Sequence, residues 1–247
     1  MSDFSGLLRA LGIVSPDPEI PPRRGTAKGR FGGGTMGGSR MAQNFWPIIL
    51  RETIPHGVVR LRPLTKQDEG AWTELRRRNY NWLQPWEASN PGGKGPPLDF
   101  PKFVKMLNQQ GKEGVALPWA IEFNGQLVGQ ITVGSINYGS LCNATIGYWI
   151  SQSAAGNGIM PTAVALATDY LFWARAIHRV EINIRPDNSR SLRVVEKLGF
   201  RDEGLRKDYL HINGAWSDHR SFALTIDDAP QGLLTQWRNQ LHTNPSN

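Results

Sequence analysis

The sequence predicts an α/β (α+β) fold in which helices cover both faces of a mixed, mostly antiparallel central sheet. Three observations carry this. Ile146 to Ala174 reads as a strand, a glycine turn and a helix. Trp119 to Phe123 and Gln126 to Val133 flank Asn124-Gly125, a two-residue hairpin signal. Tyr209 to Ile212 and Ser221 to Ile226 flank Asn213-Gly214 and predict a closing hairpin.

Taken in order, residues 1–40 stand apart. A short amphipathic piece, Phe4 to Val14, precedes Pro16, Pro18, Pro21 and Pro22, a basic stretch and a glycine-rich run, Gly32 to Ser39. Such a segment buries too little apolar surface to offset its ordering entropy, so it is expected to be flexible. Met41 reads as a second natural start and the glycine run as an engineered linker, which would make residues 1–31 a fused peptide. The expected division is therefore 1–40 flexible, 41–228 the catalytic domain and 229–247 a C-terminal helix and tail.

Folded structure is expected to begin at Val58 to Arg62, a strand by alternation and β-branching. Thr65 to Asp68 forms a capping-box pattern opening a helix to about Asn79 that buries Trp72 and Leu75. The next stretch, NYNWLQPWEASNPGGKGPP, reads as a loop; its Tyr80, Trp82 and Trp86 either pack it down or wall an acceptor pocket, with Glu87 available to hold a cationic amine. Asp99 to about Gln109 is a second helix, and Asn143 to Ile150 a third antiparallel strand leading into the glycine turn. The helix after that turn accepts Pro161 in its first turn and has Val164, Leu166, Ala167, Tyr170 and Leu171 as its buried face. Val180 to Arg185 is a strand, and Ser189 to Leu198 a helix stopped by Gly199. Residues after Pro230 predict a short helix and a polar tail.

The turn at Gly156 and Gly158 leaves backbone N–H groups unpaired at a helix N-terminus, where the helix dipole favours negative charge, making a seat for a phosphate or pyrophosphate. Met160 and Pro161 stand where a dinucleotide fingerprint would need its third glycine, and no GxxxxGK[ST] occurs, which argues against Rossmann and P-loop folds. The net charge of +7 divides into +3 on residues 1–40 (six basic, three acidic) and +4 on the rest (22 basic, 18 acidic). That suits an anionic cofactor but is too weak to argue for direct nucleic-acid binding. The single cysteine, Cys142, excludes an intrachain disulfide and a cysteine-rich metal site; no metal is expected. With no leader and no apolar run of membrane-span length in view, a cytoplasmic protein without membrane contact is expected, as monomer or dimer.

Five segments, IGYWI at 146–150, GNGIM at 156–160, NSRSL at 188–192, EKLGF at 196–200 and Glu203-Gly204, resemble the GCN5-related N-acetyltransferases (GNAT) over about residues 56–228. HRVEINIRPDNSRS, RKDYLHINGAWSDH and NWLQPWE are similar to the RimJ/RimL type, the ribosomal-protein alanine N-acetyltransferases. The resemblance implies a sheet splayed at an acetyl-CoA site and transfer of acetyl from acetyl-CoA to a protein or peptide N-terminus by direct attack on the thioester. It implies a pyrophosphate loop over Ser153, Ala154, Ala155, Gly156, Asn157, Gly158 and Ile159. Ser153 takes the place of the family's Gln or Arg, with Gln152 displaced by one, while the backbone part depends on the glycines. Tyr148, Trp149 and Ile150 would bind the pantetheine arm with Asn188, and Ser191 would protonate the leaving thiolate. For the base, Glu87, Glu181 and Asp208 are candidates, and Tyr209 competes with Ser191 as acid. Tyr80, Trp82, Trp86 and Glu87 are the expected acceptor-binding residues. Residues 1–31, which expose Ser2-Asp3 once Met1 is removed, could serve as substrate or docked partner. The alternatives are a small-amine (antibiotic or polyamine) acetyltransferase and a non-catalytic acyl-CoA-binding module.

Overall fold

Apolar residues at alternating positions build an eight-stranded sheet. The structure is a computed structural model that describes residues 46–93 and 98–243; the expected N-terminal segment and the last residues of the tail lie outside these. The strands are β1 Leu50–Ile54, β2 Gly57–Pro63, β3 Leu117–Phe123, β4 Gln126–Gly134, β5 Asn143–Ile150, β6 Arg179–Ile184, β7 Arg201–Ile212 and β8 Ala215–Thr225, in the order β1-β2-β3-β4-β5-β6-β8-β7. β5 and β6 pair in parallel and every other pair is antiparallel.

The β5–β6 seam is short. Register runs from Asn143↔Arg179 to Thr145↔Glu181, after which Ile146–Ile150 and Ile182–Ile184 have no partners in each other. The sheet therefore opens, and the open edge of β5 faces a gap. Glu181 closes the paired end: its carboxylate accepts from Asn143 Nδ2 at 3.1 Å, Arg179 Nε at 2.9 Å and Arg206 at 3.4 Å.

Two cores lie on the two faces. On one, helix α1 (Glu69–Arg78), a short turn of helix α2 (Tyr80–Leu83) and helix α3 (Phe100–Glu113) cover β3 to β5. Trp72 organises this side, its ring 5.2 Å edge-on from Trp149, 5.7 Å from Phe103 and 6.0 Å from Phe100. Each such aromatic pair adds about 0.5–1.5 kcal/mol beyond its burial, so β5 is pinned from behind at Trp149. On the other face, α4 (Ile159–Asp169) and α5 (Ser189–Lys197) pack on the sheet, and α6 (Leu233–Thr243) packs on α4.

Several expectations need revision. A further strand, β1, precedes Val58, and Trp46 and Ile48 are already buried before it. The stretch expected as a loop after Asn79 is helical from Tyr80 to Leu83 and continues as a 3-10 turn through Trp86. Leu75 is only partly buried, although Trp72 is buried as expected. The central helix is buried all round from Ile159 to Thr168 because α6 covers the side turned away from the sheet. Trp237 Nε1 donates to Thr162 Oγ1 at 2.8 Å, and Asp169 caps α6 through Leu233 N (2.7 Å) and Leu234 N (3.0 Å). Regular α-helix ends at Asp169, and Tyr170–Ala174 widens into a π-helical turn. The closing hairpin is longer than expected, with β7 beginning at Arg201 and broken by two irregularities in register.

Candidate active site

The gap between β5 and β6 opens on one face into a cavity of about 610 Å³, a volume suited to a large ligand. At one end lies the turn into α4. Gln152–Ala154 forms a 3-10 turn, Gly156 and Gly158 have φ of +88° and +72°, and the amides of Gly156, Asn157 and Gly158 find no acceptor among the described residues. Residues with a Cβ rarely adopt such angles, which is why glycines stand here. These bare N–H groups sit at the positive end of a buried helix, so the observed chemistry fits an anionic group.

A basic rim continues from this seat. Arg190, Arg193 and Lys197 line the cavity along α5; their spacing at 190, 193 and 197 places them on one helical face. The sequence signal was present in that periodicity, but these cations were not among the expected binding residues. Arg76, from α1, is a second omission. It is half-buried against Trp149, with its guanidinium carbon 5.1 Å from the ring centre, and it pairs with Glu87. Burial lowers its pKa to about 10, so it remains charged at neutral pH.

The middle of the cavity is walled by aromatic and apolar groups. Tyr148, Trp149 and Ile150 line it from β5, and Trp82, Leu83 and Trp86 from the α2 segment. Trp82 Nε1 donates to the Ile150 carbonyl at 2.9 Å, so one acceptor of the open strand edge is already used within the chain. Arg190 stacks over Trp82 at 4.2 Å and Arg185 over Trp86 at 5.3 Å. At the far end Asn188 caps α5, its Oδ1 accepting from Ser191 N at 3.2 Å, and Tyr148 donates its hydroxyl to the Ser191 carbonyl at 3.4 Å. Burial raises the pKa of that phenol, and it stays protonated.

Most of the expected site residues meet here. Ser191, Asn188, Tyr148, Trp149, Ile150, Ala154, Ala155, Gly156, Gly158, Ile159, Trp82, Trp86 and Glu87 all line the cavity. Others do not. Ser153 is exposed outside it, and Gln152 occupies the wall in its place. Asn157 turns its amide back to the carbonyls of Ala154 and Ala155, at 3.3 and 3.4 Å. Tyr80 is exposed at the surface, at the start of the short helical turn 80–83. Asp208 is exposed at a register break of β7, its own amide held by Asp218 Oδ1 at 2.9 Å, and Tyr209 packs against His219 and Arg206 instead of facing the cavity. Glu181 is spent in the clamp at the closed end of the seam: burial works against its ionisation, but hydrogen bonds from Arg179 and Asn143 with the charges of Arg179 and Arg206 outweigh it and lower the pKa. It lines neither this cavity nor the smaller one beside it.

Residues 58–201, more than half of the chain, match the family described as "Acetyltransferase (GNAT) domain". The chain belongs to the GNAT acetyltransferases. This acetyltransferase is 32% identical over 187 residues to the [ribosomal protein uS5]-alanine N-acetyltransferase of Escherichia coli, covering 74% of this chain and 94% of that one. It is 40% identical over 106 residues to the probable N-acetyltransferase YjcK of Bacillus subtilis, an alignment that spans 43% of this chain and 59% of the relative. Among solved structures, Mycobacterium smegmatis RimJ in complex with CoA-disulfide superposes with a TM-score of 0.72 at 35% identity, covering 81% of this chain and 96% of that one. The splayed sheet and the resemblance read from the motifs thus agree with the family. Among the described residues no helix is long and apolar enough to cross a membrane.

Proposed function

We propose that this acetyltransferase moves the acetyl group of acetyl-CoA to the α-amine of a protein N-terminus, that of a ribosomal or other cytoplasmic protein. The observation that carries the reading is the single cavity joining an anion seat of bare amides and cations to Asn188 and Ser191 across an open strand edge. The RimJ-type relatives support the acceptor class.

Acetyl-CoA, when bound, supplies an activated thioester. The amides of Gly156, Asn157 and Gly158 hold its pyrophosphate, and Arg190, Arg193 and Lys197 neutralise phosphate charge along the rim. The walls from Tyr148 to Ile150 and Trp82 to Trp86 exclude water from the apolar arm, and Asn188 orients it. Ser191 Oγ has no hydrogen bond within the described residues and serves as proton donor to the leaving sulfur. Glu87, fixed by Arg76, orients the incoming amine as a carboxylate.

The test is thiol release from acetyl-CoA with three acceptor sets: peptides with free Ala or Ser N-termini, the same peptides blocked at the N-terminus with an internal Lys, and small polyamines or aminoglycosides. Turnover confined to free N-termini is expected; turnover confined to the small amines would overturn the reading.

A further inference from the structure

Behind the strand gap lies a second, smaller cavity of about 120 Å³, room for a few water molecules at about 30 Å³ each or for a small side chain. Trp86, Tyr148, Asn188 and Ser191 line both cavities, so the smaller one adjoins the acyl end of the larger. Its ionisable lining groups are Tyr148, Arg185 and His219. Tyr148 is a phenol that burial keeps protonated, and Arg185 is a guanidinium pinned to Asp187 at 2.7 Å. His219 is the one of the three that can accept a proton at neutral pH.

The ring of His219 is set for that task. It stands on β8 only 3% exposed, with Nδ1 2.9 Å from the Ser217 carbonyl oxygen. A carbonyl can only accept, so Nδ1 carries the hydrogen and Nε2 carries the lone pair. Nε2 has no hydrogen-bond partner among the described residues. Tyr209 packs edge-on to the ring with centroids 5.9 Å apart, and fixes its plane from β7.

We propose that His219 is the general base of acetyl transfer, taking the proton of the attacking amine on Nε2, directly or through one water in the small cavity. The proposal rests on the acetyl-transfer reading above and adds the residue that reading lacked. The bond from amine nitrogen to carbonyl carbon forms, the carbon–sulfur bond breaks, and the amine proton passes to Nε2. The sulfur takes the Ser191 hydroxyl proton, and His219 returns its own to Ser191 across the small cavity that both line, by the same direct or one-water route, leaving both residues as they began. Burial lowers the pKa of the imidazole, and Arg185 adds to this; the Ser217 carbonyl, Asp187 and Asp218 act the other way. From β7, Arg206 is turned over the Tyr209 ring at 4.8 Å and Lys207 is paired with Asp218 at 2.8 Å. The base is therefore free of a proton at physiological pH.

The experiment compares wild type with His219→Asn, whose amide can still donate to the Ser217 carbonyl but offers no basic nitrogen, and with His219→Gln as a second variant. kcat and kcat/KM are followed against pH with whichever amine the wild type acetylates, and CoA affinity by tryptophan fluorescence. The expected result is a kcat lowered by about 100-fold or more, CoA affinity within about twofold and loss of the acid limb of the pH profile. Added imidazole should restore part of the activity of His219→Ala. Variants that bind CoA and turn over within about threefold of wild type, or keep the acid limb unchanged, overturn the proposal. A wild type that acetylates no amine overturns instead the reading on which it rests.

Discussion

The two ends of the large cavity are built from different materials. The anion seat is made of backbone: three amides at a glycine turn, aimed by a helix that is buried on all sides. The acyl end is made of side chains: Asn188, Ser191, Tyr148, Trp86 and the Arg76–Glu87 pair, contributed by four separate segments. A backbone seat depends on torsion angles and not on any one side chain. A side-chain end depends on register, since each group must arrive from its own element.

Breaking the acyl end should have the largest effect. Ser191→Ala is expected to lower kcat by about 100-fold or more, the usual weight of a positioned proton donor, with CoA affinity unchanged by titration. Unchanged turnover would remove Ser191 from the mechanism. Breaking the seat should act on binding instead: Gly158→Val forces a β-branched residue to a φ of +72°. At about 1–3 kcal/mol of strain, CoA binding should weaken roughly 10- to 100-fold by calorimetry. Removing Arg76 as Arg76→Met leaves Glu87 without its partner in a half-enclosed site. Denaturant melts should record a loss of about 1–3 kcal/mol, less than for a fully buried pair because the Glu87 side chain is 33% exposed.

The finest distinction concerns two neighbours. Gln152→Ala, at the cavity wall, should weaken CoA binding by about threefold through one lost polar contact, whereas Ser153→Ala should leave it unchanged; the reverse pattern would mean that the turn closes differently around its ligand. Stability should also depend on pH through His219. Its folded pKa lies below the ordinary value, so as pH falls through about 6.5 the unfolded chain binds the proton first and the fold weakens. Urea midpoints at neutral and mildly acidic pH should therefore converge in His219→Asn relative to wild type.

Much of this was legible along the chain because it is local. The Asn124-Gly125 and Asn213-Gly214 hairpins, the capping box at Thr65 to Asp68, and the strand–turn–helix at Gly156 and Gly158 depend on residues within a few positions of each other. Other features had weak local signals: β1 is short and carries Arg51, Glu52 and Thr53 in succession, and Tyr80 to Trp86 is helical despite its turn formers because Leu83 and Trp82 have a core to meet. By itself, then, the sequence determined the order of most elements, the glycine turn before the central helix and the family motifs around Asn188 and Ser191. Tertiary structure alone decided which carboxylates were spent in ion pairs, that Gln152 and not Ser153 lines the large cavity, and that His219 and Ser191 line one small cavity. Those outcomes depend on pairing register and burial between segments far apart in sequence, and a single-residue shift in a strand turns a side chain from one face to the other.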